Sequence, residues 1–371
     1  MAEIMADILP KRKAKGVDFC GGNADQHYII RSDFGCYMYS TNIHQGLNLT
    51  VKPLHPSCQG GDHYHASEDK FYIIKGNRYR CVSDLSKDLD SAVYDLHPCC
   101  QGGDHYLFSS GQFFIIFQSK GKFCMTSDLK QKGNGFKFDL DPDCQDGLYF
   151  WGTKNNIYVL KPKDEWGVQF YKIGDLKDKD KNINTFSVHS DVLNFLPGGL
   201  AVTHGPAFAK WELIKTIANG SDTPMSWEKR ITRKVGYTKF KSSRIERNWK
   251  GSVSETYQTG TLIEKIAKFQ FALTAEYGGA HINTENESWE EATEVEEKVN
   301  LTVESNKRIC VWQYKLGFGK EDVLFCHDLV INNGPNPPTY VPLGDKFKIN
   351  RFIVRVVPQS SGNQKIENEE L

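Results

Sequence analysis

The sequence has no excess of charge of either sign and no long apolar run. Lysine and arginine number 46 and aspartate and glutamate also number 46, so the formal net charge is zero. This balance argues against nucleic acid as a partner and against an anionic membrane found by bulk electrostatics. No apolar run approaches the roughly 20 residues of a transmembrane helix, and the N-terminus has no signal-peptide core. We therefore expect a soluble chain that is synthesised in the cytoplasm.

The sequence also lacks the motifs of common enzyme classes. It contains no glycine-rich phosphate loop, no nucleophile elbow and no HExxH zinc motif. One glycine-rich stretch, residues 196–200 followed by His204-Gly205-Pro206, has no strand-to-helix context around it. It is more typical of a strap or a turn, and we expect that the protein is not an enzyme.

The residues that are abundant indicate β-structure. Glycine (32 residues) and aromatic residues (12%) are frequent, and short runs typical of strands dominate the 371 residues. This length allows two domains, each with its own core. The ten cysteines are expected as buried free thiols, because no signal peptide directs the chain to an oxidising compartment. A disulfide between Cys310 and Cys326, which flank the turn at residues 317–319, is the alternative.

An internal repeat occupies residues 17–175. Residues 54–64 (LHPSCQGGDHY) recur as residues 96–106 (LHPCCQGGDHY), and weaker copies lie on either side. Each repeat is about 40 residues long, which is enough for four short strands. Four repeats predict a propeller-like β-domain that binds a ligand or receptor, whereas a β-trefoil needs three. One cysteine marks each repeat: Cys20, Cys58, Cys100 and Cys144.

The order of motifs within a repeat resembles that of the four-bladed hemopexin-like propeller. An acidic turn is followed by an aromatic strand (FYII, residues 71–74) and by a strand of the form YRCV (residues 79–82). The resemblance covers only this domain, which lacks the usual closing disulfide of that family. It implies a binding domain and, as one alternative function, a binder of metal or heme.

Acidic residues recur once per repeat. Asp62, Asp104 and Asp146, with Asp25 as a fourth member, would form a ring of carboxylates at one mouth of a central channel. Such a ring could hold a cation through hard oxygen ligands. The alternative is that each aspartate caps the backbone donors of a turn. No other cofactor is expected.

Flat aromatic side chains lie beside polar ones in the same repeats. The His-Tyr pairs of the second and third repeats, with Trp151 and Trp166, suit stacking on sugar rings, so the expected receptor is a glycan or glycolipid. The predicted ligand-binding residues are Asp62, His63, Tyr64, Asp104, His105, Tyr106, Asp146 and Trp151.

A second domain follows the repeats. Residues 176–185 (LKDKDKNINT) contain only two apolar residues, one of them Leu176, and predict a linker. Residues 186–357 contain strand-like runs longer than those of most globular sheets, which predicts an elongated antiparallel domain. Residues 1–16, which contain the basic run KRKAK, and the polar residues 358–371 predict flexible tails.

One stretch of this second domain, residues 251–284, has the pattern of a hairpin with one apolar face. Residues 268–277 alternate strictly, and their number matches the roughly 9–11 residues of a strand that crosses a bilayer in a closed barrel. Residues 251–258 are mostly small and polar, and a turn at residues 259–261 leads to a short apolar tip. The apolar positions of the predicted membrane hairpin are Val253, Tyr257, Leu262, Ile263, Ile266, Phe269, Phe271, Leu273 and Tyr277.

The surroundings of this hairpin resemble those in aerolysin-like pore-forming proteins. It lies between two long strand-like runs, residues 231–250 and 289–303, and an aromatic strand, CVWQYK at residues 310–315, follows. The resemblance, which spans residues 186–357, implies a soluble monomer that its other domain targets to a membrane outside the cell. It also implies that copies form a homo-oligomer and refold their hairpins into a transmembrane barrel whose apolar positions face lipid.

An ordinary amphipathic hairpin with its apolar face in a core would explain the same alternation. The protein would then be a non-lytic, lectin-like carbohydrate-binding defence protein rather than a toxin or a pore-forming defence protein. A Ser/Thr-rich strand followed by an apolar tip favours pore formation, because a binding protein gains nothing from it.

Overall fold

The structure is a computed structural model that describes residues 13–22, 26–67, 69–87, 92–131, 137–164, 167–178, 184–205, 207–238, 287 and 289–339. Nearly all regular elements in these ranges are strands, so the predicted mainly β fold is confirmed. The predicted membrane hairpin, Asp25, Trp166 and the predicted C-terminal tail lie outside the described residues.

The repeated domain contains four four-stranded antiparallel sheets, in each of which consecutive strands are neighbours. The four predicted repeats are therefore confirmed. The first sheet consists of β1 (Val17–Gly21), β2 (His27–Arg31), β3 (Cys36–Ser40) and β4 (Thr50–Pro53). The second consists of β5 (His63–Ala66), β6 (Phe71–Lys75), β7 (Arg78–Val82) and β8 (Val93–Asp95). The third consists of β9 (His105–Ser109), β10 (Gln112–Phe117), β11 (Lys122–Thr126) and β12 (Lys137–Asp139). The fourth consists of β13 (Tyr149–Gly152), β14 (Ile157–Asp164), β15 (Gly167–Ile173) and β16 (Asn184–Ser187).

A short 3-10 turn precedes the first strand of the second, third and fourth sheets, and the repeated words of the sequence explain it. A proline starts each turn, where its missing N–H costs nothing. The side chain before the proline, His55, His97 or Asp141, accepts the N–H two residues further on. The cysteine that ends each turn is buried. The repeated words therefore specify the packing between sheets.

The first strands of the four sheets form a closed ring. β1 contacts β5, β5 contacts β9, β9 contacts β13, and β13 contacts β1. Sheets of a propeller surround their channel in this cyclic order, and we call this domain the four-sheet ring. One side-chain contact recurs from sheet to sheet. Between the first and second sheets, the Tyr64 N–H donates to Asp18 Oδ2 at 2.9 Å. At the other three junctions two aromatic rings meet, with centroid distances of 4.9 Å for His63–Tyr106, 4.7 Å for His105–Phe150 and 5.1 Å for Tyr149–Phe19.

The fourth sheet extends past the predicted linker. β16 pairs with β15 from Ser187 to Asn184, and Leu176 is fully buried in the core under this sheet. The segment at residues 176–185 therefore connects two strands of one sheet, and the first compact unit continues to Phe208. Two helices, α1 (Ser190–Phe195) and α2 (Gly199–His204), lie in this continuation.

The second compact unit is built on one five-stranded antiparallel sheet of long strands. The strand order is β17-β20-β21-β18-β19. The strands are β17 (Ala207–Ala218), β18 (Met225–Tyr237), β19 (Thr293–Val303), β20 (Arg308–Phe318) and β21 (Glu321–Asn332). The predicted long strands are therefore confirmed. No helix in the described part of the chain is long and apolar enough to cross a membrane.

Two of these strands form a nearly separate ribbon. β18 and β19 pair from Met225 opposite Val303 to Val235 opposite Thr293. The backbone pairing of β18 with β21 covers two residues of β18, Gly236 and Tyr237. We call β18 and β19 the β18–β19 ribbon. Its apolar face packs on the rest of the unit in one core cluster: Ile217, Ile231, Leu301, Val303, Ile309 and Val311.

All ten cysteines are free thiols. Cys310 Sγ lies 3.7 Å from Thr216 Oγ1, whereas Cys326 contacts the Glu287 carboxyl. The alternative disulfide between Cys310 and Cys326 is therefore not formed, because the two side chains have different neighbours.

Candidate functional site

Four equivalent positions surround one end of the four-sheet ring. Strand register defines them: in each sheet, the residue lies on the first strand directly opposite an isoleucine or leucine of the second strand. The pairs are Asp18 with Ile30, His63 with Ile74, His105 with Ile116, and Tyr149 with Leu160. The sequence repeat does not reveal this set, since the four residues are of three different types.

The same register corrects the predicted ring of carboxylates. The N–H groups of Asp62 and Asp104 donate to Ile74 O and Ile116 O, and in the fourth sheet the N–H of Leu148 makes the equivalent bond to Leu160 O. Leu148 therefore occupies the position that the sequence assigned to Asp146. The fourth repeat places no acid there.

The predicted acidic residues are also engaged within their own sheets. Asp62 Oδ2 accepts the Gly76 N–H at 2.8 Å, and Asp104 Oδ2 accepts the Ser119 N–H at 3.4 Å. Asp146 forms an ion pair with Lys161. No group of three His, Cys, Asp or Glu side chains among the described residues is placed to hold a metal ion. The predicted cation site is therefore wrong, and the alternative of turn-capping aspartates describes Asp62 and Asp104.

A cavity of about 600 Å³ opens at this end of the ring, and a lysine from the predicted tail enters it. Lys13 Nζ lies 2.6 Å from Asp18 Oδ2 and 2.8 Å from His63 Nδ1. The next residue, Ala14, donates its N–H to the Tyr149 hydroxyl at 3.4 Å. Residues 13–16 were predicted as part of a flexible tail, but Lys13 and Ala14 instead cover the end of the ring. A basic run such as KRKAK carries no signal for this contact.

Burial controls the charge of the histidines near this cavity. It lowers the pKa of His63 to about 2 and those of His65 and His105 to about 3, and the positive charge of Lys13 acts in the same direction. Burial also raises the pKa of Asp18, which the Lys13 ammonium opposes. The three imidazoles are therefore neutral, and His63 can accept a hydrogen bond from the Lys13 ammonium.

The predicted sugar-stacking residues belong to the core. The hydroxyl groups of Tyr64 and Tyr106 donate to Cys58 O and Cys100 O at 2.9 and 2.7 Å. Trp151 has an exposed fraction of 0%, and its indole N–H donates to His27 Nδ1 at 3.0 Å. The prediction that these three side chains stack on sugar is therefore wrong. Alternation of aromatic and polar residues is equally typical of a strand buried between sheets.

The β18–β19 ribbon flanks the predicted membrane hairpin in the chain. Its outer face carries cross-strand ion pairs, Arg230 with Glu296 and Lys298 with Glu228, both at 3.0 Å. Its inner face is anchored by a buried arginine, Arg233, whose guanidinium donates to Cys326 O at 3.2 Å and to His327 O at 2.6 Å. The ribbon is thus polar outside, and inside it is held to the sheet by Arg233 and by Gln313, which donates to Lys234 O at 2.8 Å.

Comparisons with known proteins assign no function. No protein-family model matches the sequence, and no curated protein matches it. Among solved structures, a plant albumin from Cicer arietinum showing hemagglutination is similar at 11% identity and a TM-score of 0.30, over 47% of this chain and 93% of that chain. A streptogramin B lyase is similar at 14% identity and a TM-score of 0.23, over 47% of this chain and 55% of that one. A luciferin-regenerating enzyme is similar at 7% identity and a TM-score of 0.25, over 48% and 77%.

Proposed function

We propose that this protein is a pore-forming protein. The four-sheet ring binds a cell-surface glycan or glycolipid, copies of the chain assemble at the target membrane, and residues 251–277 insert as a β-hairpin. The observation that carries the proposal is the β18–β19 ribbon, because its two strands are the ones that this segment connects.

The register of the ribbon supports a hairpin that continues it. Val235 lies opposite Thr293, so the chain leaves and re-enters the ribbon at adjacent positions on paired strands. Beyond this pair, Gly236 and Tyr237 instead pair with β21, and Tyr237 meets Glu291 in a parallel bridge. Release of Gly236 and Tyr237 from β21 would allow the antiparallel ladder to extend into the hairpin. A membrane barrel requires such pairing, because hydrocarbon offers no hydrogen-bond partner to the backbone. The strict alternation of residues 268–277 then separates a lipid face from a lumen face.

The attachment of the ribbon supports its movement during assembly. β18 shares only two register positions with β21, whereas it shares eleven with β19. The outer face carries charged side chains on both strands, which suits contact with water or with another copy. Separation of the ribbon from the sheet as one paired unit breaks one small apolar face and the contacts of Arg233. It also breaks the hydrogen bonds from Gln313 to Lys234 O and from Asn219 to Val303 O.

The core of the ring limits where a glycan binds. Tyr64, Tyr106 and Trp151 stabilise the ring from within, so the receptor contacts exposed side chains of the four sheets instead. The non-lytic alternative, a lectin-like binding protein, keeps this binding step and lacks insertion.

Dye release from liposomes tests the proposal. Vesicles that contain mixed natural glycolipids and enclose calcein are mixed with the wild type or with a variant whose residues 251–277 are replaced by a Gly/Ser linker of equal length. We expect release with the wild type, binding without release with the variant, and a sedimenting oligomer on the vesicles. Vesicle binding by the wild type without any release would overturn pore formation and support the lectin-like alternative.

A further inference from the structure

A second cavity, of about 350 Å³, lies on the second sheet of the four-sheet ring and is lined by three cationic side chains. They are Lys75 at the end of β6 and Arg78 and Arg80 on β7. Ile73 and Val93 form an apolar part of the wall, and no aspartate or glutamate lines the cavity. We call this cavity the cationic pocket.

Strand register explains why these side chains meet. Lys75 lies directly opposite Arg78, and Ile73 lies opposite Arg80, so all four point to one face of the sheet. Like charges directly opposite each other on antiparallel strands destabilise the pair. An anion bound in the pocket would therefore stabilise the sheet, because it reduces the repulsion between these cations.

The other sheets neutralise the cations at the equivalent positions. Lys75 directly follows Ile74, the residue paired with His63. In the first and fourth sheets, Arg31 and Lys161 directly follow the residues paired with Asp18 and Tyr149, so they are the equivalents of Lys75. Arg31 forms an ion pair with Asp33 at 2.7 Å, and Lys161 forms one with Asp146. In the third sheet the equivalent residue is Phe117, which has no charge.

Arg78 can also be compared with its equivalent in another sheet. Its equivalent in the third sheet is Lys122, which forms an ion pair with Asp139 at 2.7 Å. Within the described part of the chain, Lys75, Arg78 and Arg80 form neither an ion pair nor a hydrogen bond through their side chains. The second sheet thus brings three cationic side chains to one cavity that no carboxylate lines. Asp95 lies opposite Arg78 as Asp139 lies opposite Lys122, but in the described part of the chain no ion pair joins Asp95 to Arg78.

We propose that the cationic pocket binds the phosphate group of an anionic phospholipid headgroup. Two guanidinium groups and one ammonium group form the charge-assisted hydrogen bonds that phosphate oxygens accept best. The adjoining strand β8 favours a lipid surface over free phosphate, because Val93, which lies on the same face of the sheet as the pocket, has an exposed fraction of 59%. The choice of a lipid rests on the proposed membrane function.

Vesicle binding by the full chain tests this assignment. Phosphatidylcholine vesicles with and without phosphatidic acid are sedimented with the wild type and with Arg78→Gln/Arg80→Gln. The matched control is Lys122→Gln, which removes the equivalent cation of the third sheet. We expect phosphatidic acid to increase binding by the wild type and the control, and the double variant to lose at least about tenfold of that affinity. Thermal melting confirms that each variant is folded.

The outcomes separate this pocket from the proposed pore. Equal binding by the double variant and the wild type, or no increase with phosphatidic acid, would overturn the pocket. Binding of inorganic phosphate by the wild type without binding of the vesicles would overturn the lipid as its source. Binding to phosphatidic acid that depends on Arg78 and Arg80, without any dye release, would uphold the pocket while the pore-forming function fails.

Discussion

The Lys13 ammonium lies 2.6 Å from the Asp18 carboxylate at one end of the four-sheet ring. Both side chains are largely buried, and the same ammonium also contacts His63 Nδ1. Asp18 in turn accepts the Tyr64 N–H, which is one of the contacts between the first and second sheets. The N-terminal residues therefore help to close the ring that the repeats build.

Removing Lys13 tests this role. Lys13→Ala leaves the buried Asp18 carboxylate without its cation, and we expect the free energy of unfolding to fall by about 3 kcal/mol. Lys15→Ala, two residues further on at an exposed position, is the control and should change it by less than about 0.5 kcal/mol. Urea unfolding measures both. Equal stability of the two variants would show that the contact is not needed for the ring.

The buried histidines predict loss of stability in acid. His63, His65 and His105 have folded-state pKa values of about 2, 3 and 3, below the ordinary value of 6.5. The unfolded chain binds their protons first, so stability is complete above pH 6.5 and falls as the pH approaches about 3. The raised pKa values of two carboxyl groups, Asp18 and Glu287, oppose this trend. Melting temperature measured from pH 7 to pH 4 should therefore decrease.

One histidine offers a variant for the same experiment. Neither ring nitrogen of His65 has a hydrogen-bond partner in the described part of the chain, and the ring stacks on Tyr72 at 4.7 Å. His65→Phe keeps the flat ring and removes both polar atoms, so we expect unchanged or higher stability at pH 7, by up to about 1 kcal/mol, and a shallower decline in acid. A decline as steep as that of the wild type would assign the acid sensitivity to other groups.

The anchoring of the β18–β19 ribbon depends on Arg233. Arg233→Ala removes the hydrogen bonds to Cys326 O and His327 O, so we expect a cost of about 2 kcal/mol and faster dye release. Arg230→Ala in the same strand removes only an exposed ion pair with Glu296 and should change stability by less than about 1 kcal/mol. Release rates that are equal for the two variants would show that this anchor does not limit release of the ribbon.

Repeated short sequence motifs and runs of strand-forming residues made the four sheets and the long strands predictable. The turn before β5 and β9 can be recognised from the motif His-Pro-x-Cys, because the capping histidine and the proline both interact with residues of the turn itself. The boundary after the repeats was not predictable in the same way. Leu176 is one apolar residue in a charged segment, yet the fourth sheet buries it completely.

The candidate site was less predictable because it depends on contacts between distant residues. Asp146 was assigned the position of Asp62 because it is an acidic residue of the turn after the cysteine, but it follows Cys144 by two residues whereas Asp62 follows Cys58 by four. Strand register gives that position to Leu148, which is four residues after Cys144. The sequence does not predict the cationic pocket, because the chain as a whole is neutral. Lys75 and Arg78 become neighbours only when β6 and β7 pair.

A pair of adjacent substitutions tests pore formation most directly. In residues 268–277 Phe271 belongs to the apolar set and Ala272 to the polar set. An arginine that faces lipid costs about 2–4 kcal/mol at the centre of a bilayer, whereas a lumen position tolerates it. We therefore expect Phe271→Arg to abolish calcein release and Ala272→Arg to preserve it, with equal melting temperatures and equal vesicle binding for the two variants. Release that is unaffected by Phe271→Arg, or lost equally in both variants, would contradict insertion of this strand.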